Sequence, residues 1–363
     1  MNEKKVVKKN SLYRSDIESV LSFNCDFSIL KNKTILVTGA TGLIGSVLVD
    51  MLVFLSEKFN LALSLILVSR SVENHTEKKN NAALTFIKCD LANENLENII
   101  LNSFQNLGNK KIDYIFHLAS TTHPKDYSKY PIETILTNVR GTEKLLDLAS
   151  KNLPCRFVLA SSVEVYGDDR QNLADGFSET DFGYLDPNTS RACYNEAKRL
   201  SETLCQAYKS EKNCDVVIAR LARSYGPTLK KDDSKALSQF IQKGLDRENI
   251  VLKSGGSQFY SYIYSADAAS ALVFLMLKGE NGDAYNVADK NSNIHLKDLA
   301  ELVAKNCGVK VVFDIPDETE RSGYSKAIRA VLNSRKLETL SWKAQVGIEN
   351  GIRRTIEIMR DKK

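Results

Sequence analysis

Long apolar runs are missing from this chain of 363 residues. No stretch approaches the roughly 20 residues that a membrane-spanning helix needs, so no membrane partner is expected. Charge of one sign is missing too, since 50 Lys and Arg face 45 Asp and Glu, for a net +5. Lys4, Lys5, Lys8 and Lys9, less Glu3, supply +3 of that, which leaves +2 for everything after residue 10. A near-neutral body excludes a dedicated nucleic-acid binder, which carries a basic stripe. Paired cysteines are also absent. The seven are odd in number, scattered and without a C-x-x-C. That excludes a disulfide framework and a zinc site and reads as reduced thiols. The basic first residues are followed by no apolar signal core, so the expected location is cytoplasmic. Internal repeats and low-complexity segments are lacking as well.

What is present is an alternation. Residues 1–30 read as an arm, where Ser15-Asp16-Ile17-Glu18 forms a capping-box pattern that predicts a short helix packed on the body. From residue 33, short apolar runs at 34–38, 63–68, 84–87, 114–118, 157–160 and 216–219 predict strands. Amphipathic stretches such as 43–55 and 133–149 predict helices between them. Apolar strands alternating with helices indicate a parallel sheet covered on both faces. The fold class is therefore α/β, a doubly wound, Rossmann-like sheet. After residue 223 the pattern loosens, with helices expected near 235–244, 266–278 and 349–360. That length suits a smaller C-terminal substrate-binding lobe.

Thr38-Gly39-Ala40-Thr41-Gly42-Leu43-Ile44-Gly45 follows the first strand and opens the first helix. Glycines there permit a tight turn and close approach of a pyrophosphate to the helix N-terminus. The signal is strong because it sits between a clean strand and a helix. The expected division is a dinucleotide-binding domain at 31–223, to which 262–290 return, and a substrate lobe mainly at 224–363. At the end of the second strand an NAD enzyme usually places an acid for the ribose 2′-hydroxyl. Ser69 and Arg70 stand there instead, which tilts towards NADP.

Tyr194-x-x-x-Lys198 sets a phenol and an ammonium one helical turn apart. A phenol that serves as a base must have its pKa lowered from near 10, and a nearby cation does that. Among 14 tyrosines, chance supplies about one such pair, and Tyr208-x-x-x-Lys212 is another. The two lie roughly 21 Å apart on one helix, so both cannot serve one site. Ser161-Ser162, at the end of the strand at 157–160, favours the Tyr194 pair.

These motifs resemble the extended short-chain dehydrogenase/reductase family of NAD-dependent epimerases and dehydratases, whose start reads T-G-x-x-G-x-x-G. The resemblance runs from about residue 33 to 360. Ala160-Ser161-Ser162-Val163-Glu164-Val165-Tyr166-Gly167 looks like the family's S-[ST]-x-E-V-Y-G segment. Arg191-Ala192-Cys193-Tyr194-Asn195-Glu196-Ala197-Lys198-Arg199 is very similar to the R-x-C-Y-x-E-x-K-R of UDP-glucuronate decarboxylases. His117-Leu118-Ala119-Ser120 and Asn138 match the same subfamily. The resemblance implies a Ser162, Tyr194, Lys198 triad supported by Asn138, and tightly bound NAD, against the NADP that Arg70 favours. The implied cofactor wall is Gly39, Thr41, Gly42, Leu43, Ile44, Gly45, Ser69, Arg70, Asp90, Leu91, Leu118, Ala119, Ser120 and Asn138, with Tyr194 and Lys198. Asp90 matches the aspartate at the adenine edge.

Glu164 stands where 4,6-dehydratases carry an Asp-Glu pair. Val163 replaces the Asp, which removes the general acid and counts against dehydration. The family's R-x-F-N-x-[FY]-G-P reads here as Arg220-Leu221-Ala222-Arg223-Ser224-Tyr225-Gly226-Pro227, with Arg223 in place of Asn. Its later phosphate-binding Arg is Tyr260. One arginine gained and one lost imply a relocated diphosphate clamp. The implied substrate contacts are Thr121, Ser162, Glu164, Arg223, Tyr260, Arg321 and Arg329. The expected activity is epimerisation or decarboxylation of a nucleotide-diphosphate sugar through transient C4 oxidation. A 4-ketoreductase or 4,6-dehydratase is the alternative, and a non-catalytic nucleotide-sensing scaffold is disfavoured. A homodimer through helices 131–150 and 190–212 is expected, with Ile135, Leu145, Leu146, Leu148, Leu200, Leu204 and Ala207 as its apolar positions.

Overall fold

The computed structural model describes residues 10–92, 94, 98–100, 111–122, 124–169, 173–314 and 328–361. The arm holds helix α1 (Ser11–Glu18), which Asn10 caps by accepting from the backbone N–H groups of Leu12 and Tyr13. The capping box expected at Ser15 therefore lies inside the helix, one turn beyond the true start. The arm is tied to the body as expected. The Tyr13 hydroxyl donates to Asp50 at 3.0 Å. The buried Asp16 carboxylate accepts from Tyr264 at 2.6 Å and pairs with Arg354.

Next come β1 (Thr34–Thr38), α2 (Leu43–Lys58), β2 (Ser64–Ser69), β3 (His75–Lys79), β4 (Ala82–Lys88) and β5 (Tyr114–His117). The short α3 (Pro124–Lys129) leads into α4 (Pro131–Lys151), β6 (Arg156–Ser162), α5 (Cys193–Lys212) and β7 (Asp215–Leu221). The chain continues through β8 (Arg223–Tyr225), α6 (Ala236–Leu245), β9 (Ile250–Leu252), β10 (Phe259–Tyr264), α7 (Ser265–Lys278) and β11 (Ala284–Val287). It ends with β12 (Asn293–His295), α8 (Leu296–Cys307), β13 (Val311–Phe313), β14 (Arg329–Ala330), α9 (Arg335–Thr339) and α10 (Ile348–Arg360).

Eight strands form the main sheet in the order β11-β7-β6-β5-β1-β2-β4-β3. All neighbours are parallel except β3 and β4. Successive side chains of β1 go to opposite faces, as the pleat requires. Ile35 and Val37 join the core under α2 and α7, whereas Leu36 joins the core under α4 and α5. All six expected strands are present. β3 was not foreseen because its side chains are polar and largely exposed. The order turns over at β1, with β5 on one side and β2 on the other, and such a switch point opens a crevice at the strand C-termini.

Two smaller sheets complete the fold. β10 is flanked by β12 and β14 and also pairs with β8, while β9 pairs with β13. Among the described residues no helix is long and apolar enough to cross a membrane.

Candidate active site

One cavity of about 1040 Å³ runs from the turn after β1, along the C-terminal ends of the main-sheet strands, to α6, β9 and β10. At its first end Gly39 has φ +68°, and a Cβ there would sit 2.8 Å from the Ala119 nitrogen. A Cβ on Gly45 would sit 2.2 Å from the Gly39 carbonyl oxygen. Only glycine fits either place, so the turn brings bare backbone to the cavity wall. Gly42 caps the 16-residue α2 without a side-chain hydrogen bond. The first N–H groups of α2 therefore stay available to an anion. This cradle fits the pyrophosphate of a dinucleotide. Thr41, Leu43 and Ile44 line the same wall.

Beyond the cradle, Thr41 Oγ1 lies 2.8 Å from Ser69 Oγ and 3.2 Å from Ser71 Oγ, so three hydroxyls meet where an acid is usual. Arg70 lines the cavity and pairs with Glu133 at 3.1 Å, both well exposed. Asp90 and Leu91 face the same end. Asp90 accepts from the Ala92 N–H at 3.0 Å, which fixes the turn after β4.

The middle is built at the ends of β5 and β6. Leu118, Ala119 and Ser120 line it, and Ser120 Oγ donates to Asn138 Oδ1 at 2.8 Å. Asn138 is itself buried behind Ser120, outside the cavity wall, so it positions a wall residue instead of forming the wall. Tyr194 is buried, and its pKa is raised to about 12 by burial, against the hydroxyl hydrogen bonds of Ser162 and Ser120. Lys198 Nζ lies 6.0 Å from the Tyr194 ring centroid and donates to the Ala160 carbonyl at 2.9 Å. Burial lowers its own pKa to about 8. The contacts that lower the Tyr194 pKa are the two hydroxyls and Arg191. Tyr208 instead donates to Asp147 at 2.7 Å on an exposed face, away from the cavity.

Glu164 faces Ser162 and Tyr194. Its backbone N–H is capped by Ser162 Oγ at 3.2 Å, and Asn195 Nδ2 donates to its carboxylate at 3.1 Å. Arg223 closes this end. Its guanidinium donates to Glu164 at 3.2 Å and lies 3.7 Å above the Tyr260 ring. Both Arg223 and Tyr260 line the cavity, as does Tyr262.

Thr121 is absent from the cavity wall, although Ser120 and Thr122 belong to it. Arg329 is also elsewhere. It pairs with Asp169 at 3.4 Å and donates to the carbonyls of Leu173 and Ala174, so it pins one loop to β14. Arg321 lies outside the described residues. Tyr127 and Arg191 are among the wall residues that the sequence did not single out. Tyr127 stacks on Tyr194 with centroids 5.6 Å apart, and Arg191 lies 4.5 Å above the Tyr127 ring. Arg191 stood inside the motif around Tyr194, but nothing in the sequence brought Tyr127 next to it.

A parallel sheet that turns over at a glycine cradle is the architecture of dinucleotide-dependent enzymes. The model of the NAD dependent epimerase/dehydratase family matches residues 35–288, and the chain belongs to that family. UDP-glucuronic acid decarboxylase 6 of Arabidopsis thaliana is 31% identical over 324 residues, which cover 88% of this chain and 87% of the relative. UDP-glucuronic acid decarboxylase 1 of Xenopus tropicalis is 30% identical over 331 residues, covering 90% and 72%. The UDP-glucose 4-epimerase of Thermotoga maritima, solved with UDP-glucose, is similar in fold with a TM-score of 0.75 at 23% identity, covering 90% and 98%. The resemblance read from the motifs is thus borne out for the family and for the decarboxylase relatives.

Proposed function

We propose that this protein remodels the sugar of a nucleotide-diphosphate sugar, by epimerisation or decarboxylation, through transient oxidation at C4. One observation carries the reading. Ser162, Tyr194, Lys198 and Glu164 gather in the same cavity whose other end is the glycine cradle. A nicotinamide cofactor held by the cradle would supply both the hydride acceptor and the hydride donor for C4, with no net redox change.

The protein's own groups handle the protons. Tyr194 takes the C4 hydroxyl proton, and Ser162 shares that hydroxyl. With its pKa near 12 the phenol is held protonated before the ligands bind, so the base must be generated within the filled site. Lys198, anchored on the Ala160 carbonyl, holds the floor beneath the phenol and presents its cation to the cofactor end. A ketone at C4 then stabilises carbanion character at C5. Glu164 is the carboxylate poised to manage the C5 proton. Val163 beside it provides no acid for a leaving hydroxyl, which disfavours dehydration. The Thr41, Ser69 and Ser71 hydroxyls with Arg70 support acceptance of NADP as well as NAD, because none of them repels a 2′-phosphate.

The test is incubation with NAD and either UDP-glucose or UDP-glucuronate, with products resolved by mass spectrometry. A converted sugar with no net change in reduced-nicotinamide absorbance supports the reading. Stoichiometric consumption of added cofactor points to the ketoreductase alternative. Failure to convert or bind any nucleotide sugar overturns the proposal.

A further inference from the structure

Arg223 is an arginine with an unpaired donor. Its NH2 group is held by Glu164 at 3.2 Å, and its plane rests on Tyr260 at 3.7 Å. Its NH1 atom is buried and has no hydrogen-bond partner among the described residues. A buried, unsatisfied donor on a charged group costs free energy in the empty site, so a ligand that fills it gains more than it would at the surface. The stacking and the ion pair leave the guanidinium little freedom to turn away.

The position decides which part of a ligand it meets. Glu164 is fixed between Ser162, which caps its N–H, and Asn195, the residue after Tyr194. The guanidinium is therefore one ion pair away from the groups that act at C4. On a pyranose the substituent of C5 is adjacent to C4, whereas the diphosphate hangs from C1 across the ring. The local charge agrees. Arg191 and Arg223 line this end with Glu164, which leaves one positive charge uncompensated among the three.

Resting on the reading of the cavity as a nucleotide-sugar site, we propose that Arg223 is the specificity-determining residue for a sugar acid, its unpaired donor edge receiving a carboxylate on C5. A planar carboxylate offers the two oxygens that a guanidinium edge accommodates, and a neutral hydroxymethyl group does not. Arg223 thus does not serve as the relocated diphosphate clamp. It retains Glu164 in place and reads the substituent that Glu164 faces.

Calorimetric binding to the NAD-saturated protein tests this with three probes that share one diphosphate: UDP, UDP-glucose and UDP-glucuronate. The intact protein is expected to bind UDP-glucuronate at least tenfold more tightly than UDP-glucose. Arg223→Asn should weaken UDP-glucuronate by roughly 10- to 150-fold and leave UDP and UDP-glucose within about twofold. Arg223→Lys, which keeps the charge but not the edge, should lose an intermediate amount. A melting curve and NAD binding establish that each variant is folded. Equal weakening of all three probes makes Arg223 a diphosphate clamp and overturns the proposal. Unchanged binding in both variants, or an intact protein indifferent to the carboxylate, overturns it as well. An intact protein that binds none of the three removes the nucleotide-sugar reading itself, and this inference with it.

Discussion

The Glu202 carboxylate grips the Arg220 guanidinium in a bidentate pair, at 2.8 Å and 3.1 Å, and takes the Ser161 hydroxyl as well. Both charged side chains are only 11% exposed. Glu202 lies one helical turn beyond Lys198 on α5, and Ser161 precedes Ser162 on β6. Glu202 therefore ties α5, which carries Tyr194 and Lys198, to β6 through Ser161 and to β7 through Arg220. Arg220→Ala leaves a buried carboxylate unpaired and is expected to cost about 3–5 kcal/mol. Denaturant titration measures this, and Arg220→Met with Glu202→Met should recover much of the loss. A cost below about 1 kcal/mol for the single variant would show that the pair does not hold these elements.

Tyr194→Phe should keep the fold and cofactor binding but reduce turnover by about 10²–10⁴-fold, since it removes the proposed base. Tyr208→Phe, which alters only a hydrogen bond on an exposed face, should turn over normally. Steady-state kinetics of the two variants side by side decides between the two Tyr-x-x-x-Lys pairs, and the reverse pattern would move the base to Tyr208.

Periodicity made the parallel sheet legible, because buried strands read as apolar runs and cradle glycines stand in fixed order. The edge strand β3 was not legible, since an exposed ladder needs no apolar residues. The substitutions at Arg223 and Tyr260 were visible in the sequence, but their consequence was not. β8 pairs in parallel with β10 so that Arg223 faces Tyr262 directly. Tyr260, two residues earlier, lies on the same face within diagonal reach. That register comes from a long-range strand pairing that no local pattern encodes. Arg329 illustrates the converse, a basic residue in the right stretch whose charge is used by Asp169 and two carbonyls.

Arg70 is expected to govern cofactor choice. Arg70→Ala should weaken NADP by roughly tenfold or more and leave NAD unchanged, because a charged hydrogen bond to the 2′-phosphate contributes about 1.5–3 kcal/mol. Ser69→Asp should reverse the preference by placing an acid beside the ribose. Fluorescence titration with both dinucleotides reads the ratio. If Arg70→Ala leaves the ratio where it was, the Glu133 pair is the only role of that arginine.

A two-fold dimer is expected through α4 and α5. Leu145, Leu146 and Leu148, first assigned to that face, are buried beneath the sheet. Of the other expected positions, Leu204 and Ala207 are half-buried, while Ile135 and Leu200 are 40% and 46% exposed, and Ile132, not among the expected positions, is 73% exposed. Light scattering at micromolar concentration should give twice the chain mass of 40.6 kDa. Ile135→Glu combined with Leu200→Glu should give the single mass. A monomeric parent protein would remove the interface.

Lys198 couples pH to stability with a definite sign. Burial lowers its pKa from 10.5 to about 8. Between those values the unfolded chain still holds the proton that the folded protein has released. The unfolded state then binds more protons, so this group makes stability rise with pH across that window. Below about pH 8 the burial of the charge is a full penalty. Replacing the lysine by a neutral side chain of similar length removes the penalty, and with it the pH dependence. The stability of Lys198→Met relative to the parent should therefore be greatest near pH 7.5 and should decline steadily towards pH 10. The Ala160 carbonyl, which loses its donor in that variant, contributes a constant offset that leaves the slope unchanged. Other titrating groups are common to both proteins and cancel in the difference. Denaturant midpoints of the pair at several pH values give the curve. A difference that stays flat from pH 7.5 to 10 would mean that Lys198 keeps an ordinary pKa, and that its ammonium is better solvated than its burial implies.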